Sequence, residues 1–337
     1  MTKQTPLALW RRPTFWPVAL LALLWLLNAA LTPNFARIEV RDGRLFGSLI
    51  DVIHRGAPVM LLAVGMTLVI AMRGIDLSVG SVMAMAGAVA AQLIAVHDAP
   101  LAVVVAVPLV VAAAAGLWNG LLVTLAGMQP IVATLILLVA GRGVAQLITG
   151  GQITTFERPA FQFLGTGALL GVPFTLWLVA GVTLLVGALL RLTPLGLYVE
   201  SIGGNERAAR LAGVRVRAIK VAGYVLTGLC AGLAGLIATA DIKAADVSNC
   251  GLYIELDAIL AVVLGGTSLS GGRARMVGAL AGALIMQTLT TTMLMRGIGQ
   301  EYALVIKAVV ALLVCLIYTP RFRGALQRLV GREVHAA

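Results

Sequence analysis

Two charged residues, Arg73 and Asp76, lie between two apolar runs in the stretch GMTLVIAMRGIDLSVGSVMAMAG. A charge at the centre of a bilayer costs about 2.5 to 3.5 kcal/mol on insertion scales. We therefore expect both residues at a reversal between two helices, where they face protein or water. Gly74 and Gly80 would let the backbone turn, and Ser78 would satisfy freed amides. The reversal is either a gate for a polar solute or a solvated turn.

Few other polar side chains occur inside the apolar runs. Each could hydrogen-bond a polyol in a pore or join neighbouring helices. For any single residue, packing between helices is the commoner role, but the set together indicates a polar path. The candidates for a translocation path or gate are Asp76, Ser78, Asn119, Thr134, Gln146 and Gln287.

The sequence lacks the motifs of an enzyme or a nucleotide site. It contains no G-x-x-x-x-G-K-[ST], H-E-x-x-H or G-x-S-x-G. Its three histidines are isolated, and its three cysteines lack metal-ligand spacing. We therefore predict no catalytic residue, no metal site and no cofactor bound by the chain.

The composition is that of a membrane protein. Hydrophobic residues make up 60% of the 337 residues and charged residues 12%, with a mean hydropathy of +1.00. A soluble domain is about 45 to 50% apolar and about 25% charged. The net charge of +11 does not indicate nucleic-acid binding, because no soluble basic face is available. The composition favours an all-α polytopic protein in contact with membrane lipid.

Each long apolar run predicts a transmembrane helix, which gives about ten. The first run could also be a signal peptide, but a retained helix is favoured because the run is long and the rest of the chain also spans. We expect one transmembrane domain over 1–337 with a membrane-spanning core over 15–320. The predicted spans are 15–32, 56–73, 78–96, 100–125, 130–149, 172–190, 218–240, 254–267, 275–295 and 302–319.

The lysine and arginine residues predict the orientation. With the N-terminus in the cytoplasm, most of them fall on the inner side, and ten spans return the C-terminus there too. The first external segment is an exception, because it holds four arginines. Every carboxylate maps to a loop or a helix end, which argues against a self-powered ion-coupled carrier and for energy from a partner.

The longest polar interruption on the inner side is 194–220, of which we expect 194–217 to contact a partner. Asn205 can cap a short helix, Glu206 lies in its first turn, and Gly213 can end it in the left-handed conformation. Ala208, Ala209 and Ala212 make its surface nearly flat. The helix suits docking into a groove of another protein. The alternative is an interfacial helix held to lipid head groups by its arginines.

Four long stretches resemble, in order, the permease subunits of bacterial ABC sugar importers of the ribose, xylose and galactose type, over roughly residues 55–320. They are GMTLVIAMRGIDLSVGSVMA, NGLLVTLAGMQPIVATLILLVAGRGVAQLITGGQ, GGNERAARLAGVRVRAIKVAGYVLTGLCAGLAGL and ELDAILAVVLGGTSLSGGRARMVGALAGALI. DGRLFGSLID, VAGRGVAQLITGGQITTF and ELDAILAVV are most similar to permeases of galactofuranose importers. The chain departs from the common family form GGIDLSVG by having Arg73 at the first glycine.

The resemblance implies an importer permease fold in the bacterial inner membrane, with alternating access driven by a partner. Two such subunits, identical or related, would enclose the path of a monosaccharide, galactofuranose or a related sugar. The resemblance to galactofuranose importers, where the second permease is a different chain, favours a heterodimer. A periplasmic sugar-binding protein would dock outside, and a cytoplasmic ATPase that uses ATP and Mg would receive the short inner helix. The implied ATPase-coupling residues are Gly203, Asn205, Glu206, Ala208, Ala209 and Gly213.

Two other functions stay open at this point. One is a permease for branched-chain amino acids, whose importers are distant relatives of the sugar importers. The other is an ion-coupled secondary carrier that works without an ATPase. Uptake that leucine competes for would favour the first, and accumulation by the chain alone would favour the second.

Overall fold

The computed structural model describes residues 14–33, 35–41, 43–299, 302, 304–310 and 312. The chain divides into two units, residues 1–287 and 288–337. The first unit contains every strand and every helix described below except the end of the last helix. The description that follows concerns this first unit unless stated otherwise.

Twelve helices have defined bounds within the described residues. They are α1 (Phe15–Leu31), α2 (Ser48–Ala71), α3 (Val79–Ala95), α4 (Leu101–Thr124), α5 (Pro130–Thr149), α6 (Pro159–Thr166), α7 (Phe174–Leu192), α8 (Leu195–Gly204), α9 (Glu206–Leu211), α10 (Val216–Ile242), α11 (Ile254–Leu264) and α12 (Met276–Met295). Three antiparallel pairs of short strands join the connections: β1 (Glu39–Arg41) with β2 (Arg44–Phe46), β3 (Thr154–Thr155) with β6 (Ala244–Ala245), and β4 (Ala168–Leu169) with β5 (Val172–Pro173).

Six of the described helices, α2, α4, α5, α7, α10 and α12, are long and apolar enough to cross a membrane. The prediction of a helical polytopic protein is therefore confirmed. Helices α1 and α3 have 17 residues each and α11 has 11, so the count of about ten spans stays a prediction. The tenth predicted span, 302–319, lies largely outside the described residues, as do both termini.

One predicted span has a wrong boundary. The second span was expected to begin at residue 56, but α2 begins at Ser48. The first two turns of α2 hold Asp51, His54 and Arg55, so a search for apolar runs passes over them. His54 has polar partners there: its Nδ1 lies 2.9 Å from Thr175 Oγ1, and its Nε2 lies 3.6 Å from a carboxylate oxygen of Asp241.

The helices differ in how much of their surface faces protein. Most of α2, α3 and α10 is buried, and Leu61, Met66, Met83 and Ile237 belong to one shared core. In contrast, α4, α5 and α7 expose large apolar side chains along their lengths, such as Leu184. Because lipid tails are apolar, these outer helices are suited to face the bilayer.

Helix α3 begins only partway along its neighbour α10, and the two run in the same direction. Gly235 packs on the backbone of Met83, and Gly87 packs on Thr239, so a Cβ at either glycine would overlap its neighbour. At 1.5 Å per residue, α10 is about 40 Å long and α3 begins about 22 Å from its start. Residues 72–78, here called the α2–α3 segment, connect α2 to this point as mostly irregular chain.

Candidate functional site

The α2–α3 segment turns at Arg73, not at Gly74 as expected from the sequence. Arg73 has a φ of 62°, in the left-handed region, whereas Gly74 does not. The structure instead requires Gly74 for close packing, because a Cβ there would lie 2.7 Å from a Val69 methyl and 2.8 Å from the hydroxyl of Tyr224. Gly80 likewise lies against the backbone of Gly251. Both glycines serve close approach, and the turn itself belongs to Arg73.

Asp76 lies at the centre of a buried polar group and is only 1% exposed. Its Oδ1 accepts hydrogen bonds from the backbone N of Ser78 at 2.9 Å, from Ser78 Oγ at 2.6 Å and from Asn119 Nδ2 at 3.4 Å. Asn119 Nδ2 also donates to Ser78 Oγ at 2.8 Å. The solvated-turn alternative is therefore wrong for Asp76. The side chain of Ser78 does not accept a freed backbone amide of α3, as the sequence had suggested, and its own backbone amide donates to the Asp76 carboxylate.

Thr134 of α5 holds the same segment from another side. Its Oγ1 accepts from the backbone N of Leu77 at 3.1 Å and lies 3.3 Å from the carbonyl oxygen of Ile75, to which it can donate. Asn119 contributes from α4 in the same way. We call Asp76, Ser78, Asn119 and Thr134 the Asp76 cluster, because together they fix the α2–α3 segment to α4 and α5.

Two of the six predicted path residues are absent from this cluster. Gln146 is exposed near the end of α5. Gln287 lies on α12, where its Cβ is 3.4 Å from the position of a Cβ on Gly56. Gly56 precedes the end of α2 by 15 residues, or about 22 Å of helix. The structure thus assembles four of the six candidates and leaves two apart.

Sequence reasoning missed Tyr224 of α10. Tyr224 is 2% exposed, and its hydroxyl has no hydrogen-bond partner among the described residues; the same holds for Asn119 Oδ1. A small cavity beside the α2–α3 segment is lined by Met72, Gly74, Lys220 and Tyr224 among others. A tyrosine in an apolar helix signals a need for a polar partner, so its position could have been flagged.

The short helix α9 has the local structure that the sequence predicts. Asn205 caps it, with Oδ1 accepting from the backbone N of Ala208 at 3.1 Å. Glu206 lies in the first turn and Arg210 in the last, and Gly213 follows with a φ of 84°. Capping and charge placement are read within one short stretch, which explains why they were predictable.

Glu206 ties α9 to the start of α10. Its carboxylate lies 2.6 Å from Lys220 Nζ and 2.9 Å from Arg210 Nη2. The hydrogen bond from Lys220 is the largest influence on this carboxyl, and it holds the pKa of Glu206 below its ordinary value. The predicted role of Glu206 in the first turn is thus accompanied by a cross-link that the sequence did not indicate.

The two alanines of α9 have different surroundings. Ala208 is exposed, whereas Ala209 is buried with Val199, Ile202 and Val216. Leu211 at the end of the helix is 91% exposed. The outer surface of α9 therefore presents Ala208 and Leu211, and the expectation that both alanines form one flat exposed surface is wrong for Ala209.

A second contact joins the end of α8 to the α2–α3 segment. Arg73 Nε donates to the carbonyl oxygen of Gly203 at 2.7 Å, and Arg73 Nη2 donates to that of Gly204 at 2.6 Å. The backbone N of Gly272 donates to the carbonyl of Ala71 at 2.9 Å, and a Cβ on Gly203 would overlap both residues. Three chain segments therefore meet at this point, and Gly203 is required there for close approach.

Arg142 of α5 makes a similar contact away from this region. Its Nη1 donates to the carbonyl oxygens of Val247 at 2.8 Å and Cys250 at 2.6 Å, in the turn after β6. Within the described residues, no group of three or more His, Cys, Asp and Glu side chains could hold a metal ion. The polar groups of this structure can position backbone segments and hydrogen-bond a polar solute.

Comparisons with known proteins agree with this architecture. The family described as "Branched-chain amino acid transport system / permease component" matches residues 48–315. The galactofuranose transporter permease protein of Escherichia coli is 49% identical, covering 98% of this chain and 96% of that protein. The ribose import permease protein of Escherichia coli is 41% identical (89% and 91%), and the fructose import permease protein of Bifidobacterium longum is 36% identical (92% and 88%). No solved structure gives a significant match.

Proposed function

Since this chain belongs to the family described as "Branched-chain amino acid transport system / permease component", we propose that it is the permease subunit of an ATP-driven importer for a monosaccharide. The observation that carries the proposal is the 49% identity to a galactofuranose transporter permease over nearly the full length of both chains. The narrower substrate that we propose is galactofuranose or a related sugar.

The named relatives favour a sugar over a branched-chain amino acid. The three relatives above are permeases for galactofuranose, ribose and fructose, although the family description mentions amino acids. Sugars are polyols, which suits a path built from hydroxyl and amide side chains. An ion-coupled secondary carrier is the less favoured alternative, because the ribose and fructose relatives of this chain are named as import permeases.

The proposed assembly contains four kinds of component in the bacterial inner membrane and on its two sides. A second, related permease forms a heterodimer with this chain. A periplasmic sugar-binding protein delivers the sugar, and a cytoplasmic ATPase hydrolyses ATP. In this proposal the chain is a single multi-pass domain, residues 1–337, with about ten helices, a core over 15–320 and both termini in the cytoplasm.

The α9 region serves as the coupling helix in this mechanism. The 194–217 segment places α9 on the surface, where Ala208 and Leu211 are free to contact a groove of the ATPase. Gly203, Asn205, Glu206, Ala209 and Gly213 act indirectly, because they shape the helix and hold it to the rest of the chain. Closure of the ATPase pair upon ATP binding would move α9.

The Asp76 cluster acts as the inner gate in the proposed mechanism. It holds an irregular segment between α2 and α3, and such a segment can rearrange without unwinding a helix. Gln146 and Gln287 would meet the sugar elsewhere along the path, because they lie apart from this cluster. Alternating access then consists of movement of the α2–α3 segment in step with α9.

Reconstitution tests the function. The chain, its partner permease and the ATPase are placed in proteoliposomes with binding protein, and uptake of labelled galactofuranose, ribose and leucine is measured with and without ATP. We expect ATP-dependent sugar uptake that leucine does not reduce. Competition by leucine would favour the amino-acid importer. Accumulation by this chain alone along an ion gradient would favour the secondary carrier.

A further inference from the structure

We propose that Arg73 is a positioning residue that transmits movement of α8 and α9 to the Asp76 cluster. The proposal rests on the proposed function and assigns one side chain to the link between energy input and gate. Among the described side chains of the α2–α3 segment, only that of Arg73 donates hydrogen bonds to carbonyl groups of α8.

The first step of the argument is the geometry at the end of α8. Arg73 donates to the last two carbonyl groups of that helix, those of Gly203 and Gly204. The last carbonyls of a helix have no partner within it and carry partial negative charge. A guanidinium presents its donors in a planar fork, so two bonds fix direction as well as distance. Arg73 therefore grips the helix end firmly.

The second step is the connection from this contact to α9 on one side and to the Asp76 cluster on the other. Asn205, the cap of α9, directly follows Gly204, so a displacement of α9 reaches the gripped carbonyl groups through one peptide unit. In the other direction, Asp76 lies three residues after Arg73 and is bonded to Ser78, where α3 begins. One side chain thus joins the surface helix to the buried cluster.

The third step is the room for movement. The small cavity lined by Met72, Gly74 and Tyr224 borders the α2–α3 segment, so this segment is not packed tightly on every side. The hydroxyl of Tyr224 and Asn119 Oδ1 have no partner among the described residues in this arrangement. Buried polar atoms without partners are costly, and both atoms border the segment that we propose moves.

The backbone conformation of Arg73 allows a substitution that removes the side chain without straining the turn. Its φ of 62° is disfavoured for a residue with a side chain and is freely adopted by glycine. Arg73→Gly therefore removes the guanidinium and relieves backbone strain at once. Glycine is also the residue of the common family form at this position, so Arg73→Gly tests a link that is particular to this chain. Arg73→Lys keeps the charge but offers a single point donor, and Arg191→Ala removes an exposed arginine from the end of α7 as a control.

The test measures sugar uptake and ATP hydrolysis in the same proteoliposomes, with the complete transporter and loaded binding protein. For Arg73→Gly we expect uptake to fall by about tenfold or more while hydrolysis stays within about twofold of the unmodified complex, because α9 still engages the ATPase. Arg73→Lys should give an intermediate ratio, and Arg191→Ala an unchanged one. An unchanged ratio in Arg73→Gly, whether both rates persist or both fall in parallel, overturns the proposal.

A second measurement separates this proposal from the function on which it rests. Spin labels at Ile75 and Leu125 report the distance from the α2–α3 segment to the end of α4, with and without trapped nucleotide. We expect a nucleotide-dependent change in the unmodified complex and none in Arg73→Gly. If the unmodified complex takes up no sugar, the proposed substrate is wrong, and the labels still decide on Arg73. The same distance change in both proteins overturns the transmission role.

Discussion

Two arginines of this chain make the same kind of contact in surroundings that differ in access to water. Arg73 donates to the last two carbonyl groups of α8, at 2.7 and 2.6 Å. Arg142 donates to two carbonyl groups of the turn after β6, at 2.8 and 2.6 Å. The four distances are those of charge-assisted hydrogen bonds. Geometry alone would assign the two side chains equal importance for stability.

Their surroundings separate them. Arg73 is exposed, and so is Gly204, one of its two partners, so water can reach this site if the side chain is removed. Arg142 projects from α5, an apolar helix long enough to span a membrane, and its acceptor residue Val247 is 2% exposed. An unpaired buried carbonyl is costly, whereas an exposed one bonds to water. The comparison teaches that Arg142 supports the fold, while Arg73 can be devoted to transmission.

The largest effect is expected for Arg142→Met, which keeps the length of the side chain and removes its donors. Two hydrogen bonds from a charged group are worth about 1.5 to 3 kcal/mol each, so the loss should be about 3 kcal/mol or more. Thermal unfolding of the purified protein should show a lower Tm and a poorer yield of folded protein. Arg142→Lys should restore part of the stability. A Tm equal to that of Arg73→Gly would break the comparison.

The next largest effect is expected at the buried Asp76 cluster. Asp76→Ala leaves the backbone and hydroxyl donors of Ser78 without their acceptor and leaves Asn119 Nδ2 with Ser78 Oγ alone, which should cost about 2 kcal/mol and reduce uptake by about tenfold. Asp76→Asn, which keeps one acceptor oxygen, should retain much of the stability. Unfolding curves and uptake rates of the two variants check this. An Asp76→Ala variant with the Tm of the unmodified protein would show that the buried hydrogen bonds of Asp76 do not contribute to stability as proposed.

The two alanines of α9 sharpen the contrast between exposed and buried positions. Ala208→Glu should leave the Tm unchanged, because the side chain points to water, yet weaken binding of the ATPase by about tenfold and stop uptake. Ala209→Glu buries a charge among Val199 and Ile202, so the folded yield itself should fall. Co-purification with the ATPase and unfolding curves distinguish the two. Equal loss of folded protein in both variants would contradict the assignment.

The smallest effect is expected at Glu206, whose side chain is 37% exposed. Because its folded-state pKa is lowered, mainly by Lys220, the pair contributes stability above the unfolded pKa of about 4.3. That contribution is lost as the pH falls through the lower, folded pKa. The Tm difference between the unmodified protein and Glu206→Gln should therefore be small at pH 7 and vanish in acid. A difference that grew in acid would reverse the sign of this linkage.

The parts of the fold that were predictable are those encoded locally. Apolar runs located nine of the ten predicted helices, and the cap at Asn205 and the left-handed stop at Gly213 were read from neighbouring residues. The start of α2 was missed because its polar first turns, which include His54, find partners on other helices. Hydropathy does not register a polar residue that tertiary contacts satisfy.

The candidate site was predictable in its members but not in its arrangement. Asp76 meets Asn119 across 43 residues of sequence, and Leu77 meets Thr134 across 57. The hydropathy of a single helix does not indicate which other helices it packs against. The sequence therefore could not separate Gln146 and Gln287 from the residues that form the Asp76 cluster. The contacts of Arg73 and Arg142 escaped prediction for the same reason, because their acceptors are backbone carbonyls, which every residue has.

The late start of α3 has a consequence for the barrier to leakage. In the proposed mechanism, the seal over the stretch that α3 does not cover is made by the seven residues of the α2–α3 segment, which are mostly irregular. Opening of this seal would require only the side-chain hydrogen bonds of the Asp76 cluster to break. The backbone hydrogen bonds within the helices would stay intact. The proposed passage would therefore open without the cost of unfolding a helix.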